Sequence, residues 1–247
     1  MELRILYENK NLIAVFKPQG IATETKNVLS EDMVSLVRKY PGSRAGAYPA
    51  EPVHRLDQPA AGILVFAKDK ETFRSLSKQF SEHECDKRYY AVIEGALRGN
   101  LADTSSGGDP EKEGIRLSHY IKKEQNKNGA KAVVCKPSEP GAKKAELIYK
   151  ITKIFENPSR SLLDIKLLTG RFHQIRAQLS GIGHPILGDV KYGGKSNWTD
   201  SGKKGPSGGI ALLCYSLTIT DPASGKRLTL RLNENDPAIV DFLRNYG

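Results

Sequence analysis

Cysteine is scarce in this chain. Cys85, Cys135 and Cys214 are the only three among 247 residues. An odd number of widely spaced cysteines builds no disulfide framework, so they read as reduced thiols. Long apolar runs are also missing: none approaches the roughly 20 residues that a membrane-spanning helix needs. The opening stretch, MELRILYENKNLIAVFKPQG, alternates polar and apolar positions and has no signal-peptide core. These absences point to a cytoplasmic protein with no membrane partner. The sequon Asn197-Trp198-Thr199 then carries no glycan.

Several familiar chemistries are absent as well. There is no Gly-x-Ser-x-Gly elbow, which removes the main support for a Ser-His-Asp hydrolase. Gly193-Gly194-Lys195-Ser196 ends like a phosphate-binding loop, but Asp189 occupies the place of the required first glycine and no strand leads in. His83, Cys85, His119 and Cys135 lack zinc-ligand spacing. No cofactor or metal is expected.

What the chain does have is positive charge. Its formal net charge is +10 and its isoelectric point is near 9.4. A basic excess of this size suits a polyanion, most simply nucleic acid, although charge alone fits a merely soluble basic protein equally well.

Periodicity and turn residues predict an α+β fold around a mixed, largely antiparallel sheet. Strands are expected at 5–7, 12–16, 63–67, 89–94, 146–155, 161–168, 211–220 and 227–232, with edge strands at 116–123 and 131–136. Helices are expected at 31–40, from the Asp69 cap to about Glu82, from near Arg171 to between Gly181 and Gly183, and at 237–245. Residues 98–114 read as a surface excursion and residues 193–209 as a flexible, lysine-bearing loop. The length, 1–247, suits one large domain or two small lobes.

Three stretches could carry chemistry. In His54-Arg55-Leu56-Asp57 a charged pair sits at the mouth of an apolar strand; on local grounds Asp57, before Gln58-Pro59, is more often a turn former. In KRYYAVIEG, 87–95, the tyrosines would ordinarily be core or surface strand residues. In LLTGRFHQIRAQLSGIGHPILGDVKYG, 167–193, Arg171, His173, Gln174 and Arg176 fall in the expected first helical turns. A solvated polar face is the bland explanation there. It is weakened because positive charge opposes the dipole at a helix N-terminus and calls for an anionic partner, a role open to Asp57.

In this order, the stretches resemble the RluA family of RNA pseudouridine synthases. HRLDQPAAGILVFAK matches the family's His-Arg-Leu-Asp motif and following strand. Lys87, Tyr89, Ala91, Ile93 and Gly95 match its Lys-x-Tyr-x-Ala-x-Val-x-Gly pattern. Residues 169–176 match Thr-Gly-Arg-x-His-Gln-Ile-Arg, and 183–193 match Gly-x-Pro-Ile-x-Gly-Asp-x-x-Tyr-Gly. ILYENKNLIAVFKPQG resembles the family's first strands and Lys-Pro turn. The likeness runs from about residue 4 to residue 232. It departs where Ala60-Ala61 replaces a usual Thr-Ser, Gln178 a usual histidine, and Leu213-Cys214-Tyr215 a Leu-His-Ala.

The resemblance implies isomerisation of uridine in ribosomal or transfer RNA by a monomeric enzyme, with Asp57 as the essential carboxylate. It implies that Tyr89 lies against the flipped base and that Arg176, or alternatively Arg171, is the cationic partner of Asp57. Arg55 would fill the gap left by the flipped base, and His54, Arg171, His173 and Gln174 would contact substrate. Two other readings stand beside it. A catalytically inactive RNA-binding relative is opposed by the retained Asp57, Tyr89 and Arg176. A glycoside-type hydrolase needs a second acid beside Asp57 that no motif supplies.

Overall fold

The computed structural model describes residues 1–27, 30–43, 48–97, 114–127, 129–195 and 209–246. In chain order the described elements begin with β1 (Ile5–Glu8), β2 (Leu12–Lys17), α1 (Met33–Lys39), β3 (Glu51–Pro52) and β4 (Ala61–Ala67). Then come α2 (Lys70–Ser81), β5 (Asp86–Glu94), β6 (Ile115–Asn126), β7 (Gly129–Cys135), β8 (Lys143–Glu156) and β9 (Ser159–Leu167). The last are α3 (Gln174–Gly181), β10 (Leu212–Thr220), β11 (Arg227–Arg231) and α4 (Pro237–Tyr246). The fold is α+β, with strands dominant. The expected excursion at 98–114 and the lysine-bearing loop at 193–209 fall mostly outside the described residues.

The chain forms two compact units. The first comprises Met1–Lys87, Pro206–Gly209 and Leu213–Asp236; the second comprises Arg88–Gly205, Ile210–Leu212 and Pro237–Gly247.

In the first unit the strands lie in the order β1-β2-β4-β10, with β3 also on β4 and β11 on β10. β2 and β4 are antiparallel, while β4 and β10 are parallel, with Leu213 opposite Ala61. β4 is buried along its whole length, which explains its unbroken apolar sequence AGILVFA. Gly62 permits a close approach inside this sheet. Its φ is +136°, and a Cβ there would sit 2.6 Å from the Cys214 backbone nitrogen, so only glycine fits. Ile13, Val15, Leu64 and Phe66 pack with Met33 and Val37 of α1. Asp32 caps α1 by accepting from Ser35 N at 2.7 Å, and Asp69 caps α2 by accepting from Thr72 N at 2.8 Å.

In the second unit the order is β5-β9-β8-β6-β7. β8 and β9 form a long antiparallel hairpin, with Leu147, Tyr149, Leu163 and Ile165 fully buried. β6 was expected at an edge, yet it is interior: it pairs with β7 on one side and β8 on the other, leaving β7 at the edge. Its two halves have different partners: residues 115–121 pair with β8 and residues 120–126 with β7, so only Tyr120 and Ile121 have neighbours on both sides.

Candidate functional site

In the first unit the His54–Asp57 segment is an extended approach to a turn. Val53 and Leu56 are buried, Asp57 is half-buried and Arg55 is exposed. The turn closes with Ala60 N donating to Asp57 O at 3.0 Å. One stretch, residues 17–23, holds this segment from outside. Thr23 Oγ1 donates to Leu56 O and accepts from Leu56 N, at 3.1 and 3.2 Å. Gly20 N donates to Gln58 O at 3.0 Å, and Gln58 Nε2 returns a bond to Gly20 O at 2.9 Å.

The strongest tie is Lys17, the lysine of the Lys-Pro-Gln-Gly turn. It is fully buried, and its Nζ donates to Ile21 O at 2.8 Å, Pro18 O at 3.0 Å and Gln58 O at 3.1 Å. Three carbonyls thus match the three protons of an ammonium. Burial nevertheless pushes Lys17 down to about 7, against the opposing pull of the Asp57 carboxylate. Asp57 therefore sits on a turn whose backbone is pinned on both sides, beside a buried lysine.

The two charges of this segment have different settings. Arg55 keeps 68% of its side chain exposed and lies 3.7 Å from the exposed carboxylate of Glu24, a weak pair in water. His54 faces inward. Its Nε2 accepts from Val65 N at 3.2 Å, and its ring stacks on Phe80 with centroids 4.6 Å apart. Burial, with the nearby Lys87 charge acting the same way, pushes its pKa down to about 3, so the ring is neutral. The bond to Val65 fixes the remaining proton on Nδ1.

In the second unit Tyr89 lies on β5, where Tyr89 and Ala91 are buried and share one face of the strand. Arg88, on the opposite face, bonds Asp164 of β9 at 3.1 Å.

The stretch from Thr169 to Arg176 departs from the expected helix. α3 starts at Gln174, three residues later than expected, because His173 adopts a left-handed φ of 49°. The side chain of Gln174 holds this turn. Its Oε1 accepts from Thr169 Oγ1 at 2.7 Å and Arg171 N at 3.0 Å. Its Nε2 donates to Glu146 O at 3.0 Å and Gln178 Oε1 at 2.9 Å. Every hydrogen-bonding position of this amide is thus engaged within the chain. Arg171 lies outside the helix, with Nε donating to Lys144 O at 3.1 Å.

Arg176 is 4% exposed, and its guanidinium meets Asp189 in a two-pronged pair: Nε to Oδ2 at 2.7 Å and Nη2 to Oδ1 at 2.9 Å. Asp189 is 1% exposed. Arg176 also lies over the ring of Tyr192, 4.8 Å from its centroid. The anionic partner that a cation in the first turn of α3 calls for is supplied here by Asp189. The motif GDVKYG had Asp189 and Tyr192 in view, but sequence reasoning gave neither a role. Lys17 carries no local signal of its role either.

Comparison with known proteins gives these motifs a common origin. The family model for RNA pseudouridylate synthase matches residues 11–181, more than half of the chain. The chain belongs to the RNA pseudouridylate synthase family. That family is a class of isomerases.

Among its relatives, an uncharacterized RNA pseudouridine synthase of Aquifex aeolicus is 28% identical over 94% of this chain and 69% of its own length. The tRNA pseudouridine synthase C of Pectobacterium carotovorum is 30% identical over 95% of this chain, which spans only 60% of that protein. The ribosomal large subunit pseudouridine synthase C of Buchnera aphidicola from Acyrthosiphon pisum is 29% identical, over 98% and 69%. The fold agrees with the solved structure of human RNA pseudouridylate synthase domain containing 4, at a TM-score of 0.67, 21% identity, and 98% and 92% coverage.

The positions where this family member departs from the usual motifs lie in its core. Gln178 is fully buried and donates from Nε2 to Ala145 O at 3.1 Å and Leu117 O at 3.3 Å, joining α3 to β8 and β6. Cys214 and Ala60 are also buried. Among the described residues no group of histidine, cysteine and acidic side chains is arranged to hold a metal ion, and no helix is long and apolar enough to cross a membrane.

Proposed function

We propose that this chain converts uridine to pseudouridine in structured RNA, transfer or ribosomal, with Asp57 as the essential carboxylate. The observation that carries this reading is the pinned turn: Lys17, Gly20 and Thr23 fix the backbone around Asp57 through bonds to Leu56 and Gln58. A carboxylate that must meet one atom of a flipped nucleotide needs such a mount, since small misplacements are expensive in rate. The names of the relatives, which act on transfer RNA or the large ribosomal subunit, support the substrate class.

The reaction breaks the bond from ribose to uracil nitrogen, turns the base and joins it through carbon 5. The carbon 5 proton then leaves, and the freed nitrogen 1 takes up a proton. Nothing is oxidised or reduced. The uridine must leave its stack to be reached. Asp57 acts as nucleophile or as base toward the sugar. Tyr89 lies against the flipped base, Arg176, its guanidinium held by Asp189, supplies the positive charge the reaction needs, and Arg55 occupies the gap in the RNA stack. His54 and Gln174 position the segments that carry these groups, while Arg171 and His173 approach the RNA. The enzyme works as a cytoplasmic monomer.

The test joins two measurements. Purified protein is assayed for pseudouridine formation on bulk RNA from a strain lacking the gene, and the products are mapped. The proposal expects new pseudouridine at one or a few defined uridines, the same ones missing in that strain. No product on either transfer or ribosomal RNA would contradict it.

A further inference from the structure

An exposed aromatic ring stands just ahead of α3. Phe172 is 41% exposed and stacks on His173, with ring centroids 3.8 Å apart and planes 19° from parallel. Lys123 Nζ, on β6, lies 4.9 Å from the Phe172 centroid. His173 is held from below: its Nδ1 is 2.9 Å from Tyr192 Oη, which also accepts Ala132 N at 2.8 Å. Tyr192 is 3% exposed and carries Lys131 Nζ 4.8 Å from its ring centroid.

This is a costly arrangement for mere surface. His173 is a non-glycine residue at positive φ, which strains the backbone. Beside it an apolar ring stands partly in water instead of being buried. The nearby Lys122 is neutralised by Glu124 and Glu139, both at 2.9 Å, so Lys123 and Lys131 supply the positive charge next to the rings. A flat, pre-ordered ring flanked by cations is complementary to an unstacked base and its phosphates. Its backing by His173 and Tyr192 keeps the ring in place, so little ordering entropy is lost on binding.

We infer that Phe172, backed by His173 and flanked by Lys123 and Lys131, is a stacking platform for an unpaired base of the RNA substrate. The inference rests on the RNA reading above and adds a point of contact within the second unit. It makes Phe172 a binding residue, separate from the reacting atoms.

The experiment compares wild type with Phe172→Ala, Phe172→Leu and Phe172→Trp. Binding is measured on a single-stranded RNA of about a dozen nucleotides and on the same sequence in a perfect duplex. Loss of one stacked base should weaken single-strand binding about tenfold in the alanine and leucine variants. Phe172→Trp should bind like wild type, and duplex binding should be equal in all four proteins. With an RNA substrate, KM should rise in the alanine variant while turnover at saturation holds.

Wild-type affinity in Phe172→Ala overturns the platform and leaves the RNA reading standing. Wild-type affinity in Phe172→Leu also overturns it, by showing that an apolar patch suffices without a ring. Failure of the wild-type protein to bind the single-stranded RNA also overturns the platform, while the RNA reading is overturned only by absence of product on transfer and ribosomal RNA.

Discussion

The ammonium of Lys17 donates to the carbonyl of Gln58 across 3.1 Å, one residue beyond Asp57. The same ammonium holds Ile21 and Pro18, so a single buried side chain binds the Lys-Pro turn to the Asp57 turn. Lys17→Met keeps the stem and removes all three bonds. It should lower turnover about a hundredfold by loosening the carboxylate's mount, with little change in RNA affinity. Single-turnover kinetics beside RNA titrations check this; equal turnover would mean the mount is not needed.

Lys17 should also mark the stability profile. Folded, it titrates near 7; its ordinary value is 10.5. Between these values the unfolded chain binds the extra proton, so stability rises with pH. Urea melts from about pH 7 to about pH 9 should show wild type gaining on Lys17→Met by up to about 1.4 kcal/mol per pH unit. Parallel profiles would remove the buried charge from the account.

His54 titrates near 3 in the folded protein and at 6.5 ordinarily. Its contribution is complete above 6.5 and is lost as pH falls toward 3, where the unfolded chain takes up the proton first. His54→Gln keeps an acceptor for Val65 N but cannot titrate. Acid denaturation followed by circular dichroism should find wild type falling behind this variant across that window.

Arg176 and Asp189 form a buried pair, so removing either partner is expensive. Asp189→Ala should destabilise the protein by about 3 kcal/mol or more in urea melts. Arg171→Met, at a more exposed side chain, should change stability by no more than about 0.5 kcal/mol. For activity, Arg176→Met should be the more damaging of the two arginine substitutions. The reverse order would move the role of the reaction's cation to Arg171.

Much of this was legible in the sequence, for identifiable reasons. β2 and β4 are buried enough to appear as apolar runs, and Asp69 sits where a helix cap belongs, whereas Asp32, inside the expected helix 31–40, is the cap of a helix that starts at Met33. Asp57 stood out because a charge precedes a wholly buried strand. The start of α3 was not legible, because polar residues suit a first helical turn and only the left-handed backbone of His173 delays it. The interior position of β6 is not legible, because its pairing with β8 joins residues far apart in the chain. The bond from Lys17 to Gln58 and the pair of Asp189 with Arg176 were hidden too: the partners are 41 and 13 residues apart, and no local pattern reports such pairs.

The account centres on the carboxylate of Asp57, and Asp57→Asn tests it most directly, since the amide preserves shape and removes the charge. The measurement is tritium release from RNA carrying uridine labelled at carbon 5. The account predicts no release above background, with RNA binding and the melting transition close to wild type. Release near the wild-type rate would contradict it.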